Sequence, residues 1–177
     1  ALAANFGVAQ TTISRWLDQL VSMLVLRRLQ PWHENLAKRQ VKTPKLYIAD
    51  WGLAHALLGI RTRGELLGHP KVGASWESCA LSLVIRRLGA TREECYFWAT
   101  HQGAELDLLV VRGKRRLGFE FKLNEAPTIT PSMRIALKEL RLEKLEVIHA
   151  GDEAFPLGER IRAMPLSKLT QELKSLS

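Results

Sequence analysis

Cysteine is scarce in this chain: Cys79 and Cys95 are the only two among 177 residues. They lie far apart beside apolar residues, which points to reduced, buried thiols of a cytoplasmic protein and away from a disulfide or a metal site. The five histidines are scattered and show no zinc-ligand spacing. No apolar run approaches the roughly 20 residues that a membrane helix needs, so no membrane association is expected. The first residues, Ala-Leu-Ala-Ala-Asn, lack the basic region and cleavage pattern of a secretory leader. They also lack an initiator Met and read as the end of a helix, so the chain is expected to be part of a longer protein. What is present is ordinary for a globular protein, 46% hydrophobic and 25% charged residues. The length suits one domain or two small ones packed together.

The charge is uneven. Residues 1–72 carry ten Lys/Arg against four Asp/Glu, whereas residues 73–177 carry sixteen against fourteen. Most of the net +8 therefore lies in the first part, where it suits phosphate binding, although solubility alone also explains it. In that part Gly7 is suited to a left-handed turn after a first helix. Gln10 to Thr12 then open a second helix with polar capping chemistry. Ile13, Trp16, Leu17, Leu20 and Val21 recur at helical spacing. This segment resembles a helix-turn-helix whose second helix turns Thr11, Thr12, Ser14 and Arg15 outward, toward the DNA major groove and its phosphates. Val25–Trp32 and Lys45–Ala49 follow as strands, with Lys38, Arg39 and Lys42 in the basic loop between them. Together these features predict a winged helix over residues 1–70. Asp50 is read as the cap of a short helix, not as a catalytic acid. Gly64, Gly68 and Pro70 break the pattern and mark a boundary.

Residues 71–177 predict a second domain. Gly73–Leu88 reads as a largely apolar helix, and Glu77 lines up with Ala80, Leu81, Val84 and Leu88. A carboxylate bordering buried surface needs a cation, a donor or water; the structural alternative is a solvated first-turn acid favoured by the helix dipole. Strands over Cys95–Thr100, Ala104–Val111 and Arg115–Leu123 are separated by turns at 101–103 and 112–114. Alternation sets Glu105 and Asp107 on one face of their strand, opposite Leu106, Leu108 and Val110. It likewise sets Glu120 and Lys122 opposite Phe119, Phe121 and Leu123. Pairing through the tight turn makes Asp107 and Glu120 neighbours, and like carboxylates that close repel unless a cation or proton lies between them. Mg²⁺, held by one or two carboxylates with waters and a substrate phosphate, relieves that repulsion. Lys122 projects into the same site, where it orients an attacking water or neutralises developing charge. A helix with Pro131 in its first turn and a strand at Lys144–Ala150 complete an α-β-β-β-α-β order, and a short extended piece and a closing amphipathic helix from about Leu166 follow.

The order of helix with Glu, strand with Asp, hairpin, and strand with Glu-x-Lys resembles the PD-(D/E)xK nuclease superfamily. The resemblance implies an α/β (α+β) fold: an N-terminal winged helix-turn-helix, then a restriction-endonuclease-like αβββαβ core with a mixed central sheet. It implies Asp107, Glu120 and the helix-borne acid Glu77 as metal ligands and Lys122 as the catalytic lysine, with Mg²⁺ or Mn²⁺ as cofactor. Glu105 lies outside the minimal motif, and Leu106 stands where the superfamily usually has Pro. More broadly, the phrases TTISRWLDQL, TPKLYIADWGLAHALLG, YFWATHQGAELDLLVV and FEFKLNEAP resemble the C-terminal region of uncharacterised prokaryotic ATPases of the AAA+ superfamily. That likeness implies an ATPase module of the same polypeptide as partner. ATP is expected only there, because no phosphate-binding G-x-x-x-x-G-K-[S/T] loop occurs in these residues. The expected activity is Mg²⁺-dependent cleavage of DNA, assisted by the winged helix, with oligomerisation allowed. The alternative is a non-catalytic module that binds nucleic acid or protein and is coupled to the ATPase, its acidic cluster serving as a polar network.

Overall fold

The computed structural model describes residues 2–33 and 43–176. Helices α1 (Leu2–Phe6) and α2 (Gln10–Ser22) are joined through Gly7 at φ +62°, the left-handed turn its missing side chain permits. The polar cap expected for α2 is not there: its N-cap is Ala9, with no side-chain hydrogen bond. Of its apolar stripe, Ile13 and Val21 are buried, but Trp16 and Leu20 remain exposed. The strand that α2 packs against, β1 (Leu26–Pro31), covers only part of that stripe. β1 pairs antiparallel with β2 (Lys45–Ile48), and Asp50 then caps α3 (Trp51–Leu57) by accepting the Leu53 N–H at 2.9 Å. Where glycines predicted a break, the short helix α4 (Arg63–Gly68) forms instead. Thr62 and Glu65 close a capping box at its start, outweighing the cost of Gly64.

Helix α5 (Val72–Leu88) ends at Gly89, φ +62°. The predicted order follows: β3 (Cys95–Ala99), β4 (Glu105–Arg112), β5 (Arg115–Lys122), α6 (Pro131–Glu139) and β6 (Lys144–His149). The chain then adds β7 (Phe155–Gly158), β8 (Ile161–Pro165), a single 3₁₀ turn at Leu166–Lys168 and α7 (Leu169–Glu172). β7 was not foreseen; it is an edge strand, where Pro156 is tolerated.

The eight strands form one mixed sheet in the order β2-β1-β3-β4-β5-β6-β8-β7. β1 joins β3 in parallel, Gln30 facing Tyr96, so strands from both sides of residue 70 share the sheet. One face is covered by α5 and α7, whose Leu81, Val84, Leu88 and Leu169 pack on Phe97, Leu108, Phe119 and Phe121. The other is covered by α6, whose Met133 and Ala136 pack with Trp98, Leu106, Leu109 and Val147. Both cysteines are free thiols; Cys95 is buried as expected and Cys79 only half-buried. No helix among the described residues is long and apolar enough to cross a membrane.

Within β4, strict alternation fails. Tyr96 faces Leu109 but Trp98 faces Leu106, so β4 carries one extra residue across Asp107–Leu108. Leu106 therefore packs on the α6 face, while Leu108 and Val110 pack on the α5 face, contrary to the shared face that alternation predicts. A bulge of this kind re-aims the side chains it carries.

Leu81 is fully buried where α5 meets the sheet. Leu81→Ala is expected to lower stability by about 3 kcal/mol in urea denaturation; a loss below about 1 kcal/mol would contradict this packing.

Candidate functional site

The β4–β5 hairpin turns tightly at Gly113, φ +59°, with Arg112 facing Arg115. Its ladder runs back to Leu108 facing Phe119. One rung further the register sets Asp107 against Glu120, but here the Asp107 side chain takes over: its Oδ2 accepts the Phe121 N–H at 3.1 Å. The two carboxyl groups lie within hydrogen-bonding reach of each other, as the sequence predicted. Glu120 is only 5% exposed. Burial and then the charge of Asp107 push its pKa up to about 8, although Lys122 pulls it down. The Lys122 ammonium stands 3.1 Å from Glu120 Oε2, so the Glu-x-Lys pair meets as well. Burial works against the Lys122 charge, but Glu120 and then Asp107 more than offset it and hold its pKa above the usual value.

Glu77 comes from the second turn of α5, too far along to be a first-turn acid. Its carboxylate is half-buried, and Oε1 accepts the Tyr47 hydroxyl at 2.7 Å. Burial and Asp107 raise its pKa, against the pull of Tyr47 and Lys45.

Lys45 and Tyr47 were not identified from the sequence. They occupy alternate positions of β2 and so share a face, which was the available signal. Nothing local showed that this face turns toward α5 and β4. The Lys45 ammonium contacts Glu105 directly and stands 3.7 Å from Asp107 Oδ1 and 3.9 Å from Glu77 Oε1. Glu105, outside the minimal motif, thus enters the cluster through this lysine. Beside Tyr47 and Glu77 opens an apolar groove of about 360 Å³ lined by Trp51, His55, Leu58 and Ser75.

Hard carboxylate oxygens in the majority over ammonium groups suit a divalent ion such as Mg²⁺, which takes only one or two carboxylates from the protein. Asp107 and Glu120 are two such carboxylates, and the raised proton affinity of Glu120 comes first from its burial and then from the charge of Asp107. Among the described residues no group of three or more His, Cys, Asp or Glu side chains converges as a ready-made metal cage. Glu77 stands apart, held by Tyr47 and facing Lys45.

Of the expected nucleic-acid contacts, Thr11, Ser14 and Arg15 are exposed on α2 and Thr12 is half-buried. Lys38, Arg39 and Lys42 lie outside the described residues.

A family model described as a domain of unknown function, DUF8612, matches residues 1–64, and a second, DUF4143, matches residues 72–169. Over 168 residues the chain is 45% identical to uncharacterized protein Rv2008c of Mycobacterium tuberculosis and to uncharacterized protein Mb2031c of Mycobacterium bovis. The matches cover 95% of this chain but 38% of each relative, so the chain spans well under half their length. No solved structure matches the chain.

A buried acid with a raised pKa favours folding when protonated. Its contribution is fully present below its unfolded value near 4.5 and is lost as pH rises through about 8. With chelator present, stability is expected to fall over that window by up to about 1 kcal/mol per pH unit. Glu120→Gln is expected to flatten this slope; an unchanged slope in thermal melts across pH 5–9 would refute the assignment.

Proposed function

Because the chain belongs to the DUF4143 family of domains of unknown function, we propose its activity from the site itself: metal-dependent hydrolysis of DNA phosphodiester bonds by a PD-(D/E)xK-type centre. The observation that carries this reading is the meeting of Asp107, Glu120 and Lys122 where the β4–β5 ladder ends. The element order α5-β3-β4-β5-α6-β6 agrees with a restriction-endonuclease-like core.

In this reading Asp107 and Glu120 hold Mg²⁺ or Mn²⁺, with Glu77 the helix-borne acid at the rim. A divalent ion held there would supply Lewis-acid chemistry for phosphodiester hydrolysis. Lys122 donates to the phosphate oxygen on which charge develops, or holds the attacking water. The Phe121 N–H fixes Asp107 through Oδ2, which leaves Oδ1 turned toward Lys45. Residues 1–70 act as a winged helix that positions DNA, with Thr11, Ser14 and Arg15 on its exposed helix face. The α1–α2 pair and the β1–β2 ribbon agree with that assignment. In the intact protein an AAA+ ATPase module of the same polypeptide supplies ATP-driven control, in the cytoplasm.

A second reading has its own observation. Lys45 and Lys122 both pair with the acidic groups, as expected of a non-catalytic polar network that specifies structure and transmits the state of the ATPase.

Full-length protein incubated with DNA, Mg²⁺ and ATP separates the two. Cleavage is expected, with Asp107→Ala and Lys122→Ala each losing about 100-fold or more, the scale of a lost transition-state interaction. Equal cleavage by wild type and Asp107→Ala, or none by either, would favour the second reading. Arg15→Ala is expected to weaken DNA binding several-fold and to lower the slope of affinity against salt by about one; an unaltered slope would remove α2 from the interface.

A further inference from the structure

The proposed centre leaves its second ammonium, that of Lys45, without a role. Lys45 comes from β2, within the proposed winged helix, yet its ammonium touches acidic groups of two other elements, Glu105 and Asp107 of β4 and Glu77 of α5. Lys122 pairs instead with Glu120, so the two ammonium groups divide the cluster between them. Nor does Lys45 trail into solvent. Its side chain is 28% exposed, and its Nζ sits 5.4 Å from the centre of the Phe97 ring on β3. Tyr47, two residues on, holds Glu77, so one face of β2 is built against the acidic groups.

Resting on the proposed metal centre, we infer that Lys45 is its built-in counter-cation, and that the ammonium must leave Asp107 for that carboxylate to bind a divalent ion. The same carboxylate oxygens cannot satisfy both charges, and two cations a few ångströms apart in a half-buried setting repel strongly. Metal affinity is therefore set by competition with a residue of the N-terminal segment. Metal binding, in turn, weakens the electrostatic hold of β2 on β4 and α5. That gives residues 1–70 a direct means of sensing, or setting, the state of the centre.

The test is calorimetric titration of the full-length protein with Mn²⁺, without nucleotide or DNA. An Asp107→Ala variant defines the background from any site elsewhere. Lys45→Met and Lys45→Gln are expected to bind Mn²⁺ about tenfold tighter than wild type or better, and Lys45→Arg, which keeps the charge, to stay within about threefold of it. Should the neutral variants fold poorly, refolding on addition of Mn²⁺ supports the inference, and unfolding that Mn²⁺ does not reverse overturns it. Mn²⁺ binding no tighter in the neutral variants, or absent from all of these proteins, also overturns it. Tighter binding in Lys45→Met with no DNA cleavage by any variant sinks the nuclease reading and leaves this inference standing. Cleavage by wild type with an unchanged Mn²⁺ affinity in Lys45→Met does the reverse.

Discussion

The acidic end of this sheet is governed by one repulsion. Asp107 and Glu120 sit within hydrogen-bonding reach in a setting too buried for water to screen them fully. The neighbourhood answers with every kind of compensation available to a protein. A backbone N–H and an ammonium supply partial and full positive charge, and Glu120 binds its proton more tightly. Each answer is partial, and the Glu120 carboxyl keeps its raised proton affinity. Other acids in the chain are settled differently. Glu146 is buried but meets both Lys144 and Arg162, and Glu94 is gripped twice by Arg112, which holds its carboxyl down at about 2. Those are closed pairings. The Asp107–Glu120 pair instead has a different ammonium at each carboxyl, Lys45 facing Asp107 and Lys122 facing Glu120.

The fold holds the pair in place through backbone features. The hairpin turn sets the register of β4 and β5 over five rungs, and the register carries Asp107 toward Glu120. The extra residue in β4 breaks alternation at the Asp107–Leu108 step and turns Asp107 toward α5, where Glu77 and Lys45 wait. Behind both strands lies a dry layer, with Leu108, Phe119 and Phe121 packed against Leu81 and Val84. Rigid packing of this kind keeps like charges from drifting apart, because relieving the repulsion would expose apolar surface.

Much of this was legible in the residues. The order of helices and strands after residue 71 follows from alternation, from Gly113 and Gly103 at positive φ, and from Pro131 at a helix start. The neighbouring carboxylates were legible for the same reason: a tight turn leaves little freedom of register. What escaped had no local signature. The capping box at Thr62 overrode glycines that read as a break, and β7 forms around Pro156 and Gly158 because an edge strand asks less of its backbone. The bulge changes the face of Leu106 without leaving a trace in the pattern of apolar residues. On α2 the apolar period was real, yet Trp16 and Leu20 stay exposed, since a period says which residues share a face and not whether anything covers it.

By itself, then, the sequence determined the parts that depend on near neighbours along the chain: element types, the hairpin, and the encounter of Asp107, Glu120 and Lys122. Periodicity and turn chemistry act over a few residues and can be read in a line. Tertiary structure alone decided that β2 would bring Tyr47 to Glu77, 30 residues away, and Lys45 to Asp107, about twice as far along the chain. That meeting depends on the parallel pairing of β1 with β3, a long-range contact selected by the free energy of the whole sheet, for which no short stretch of residues carries a code.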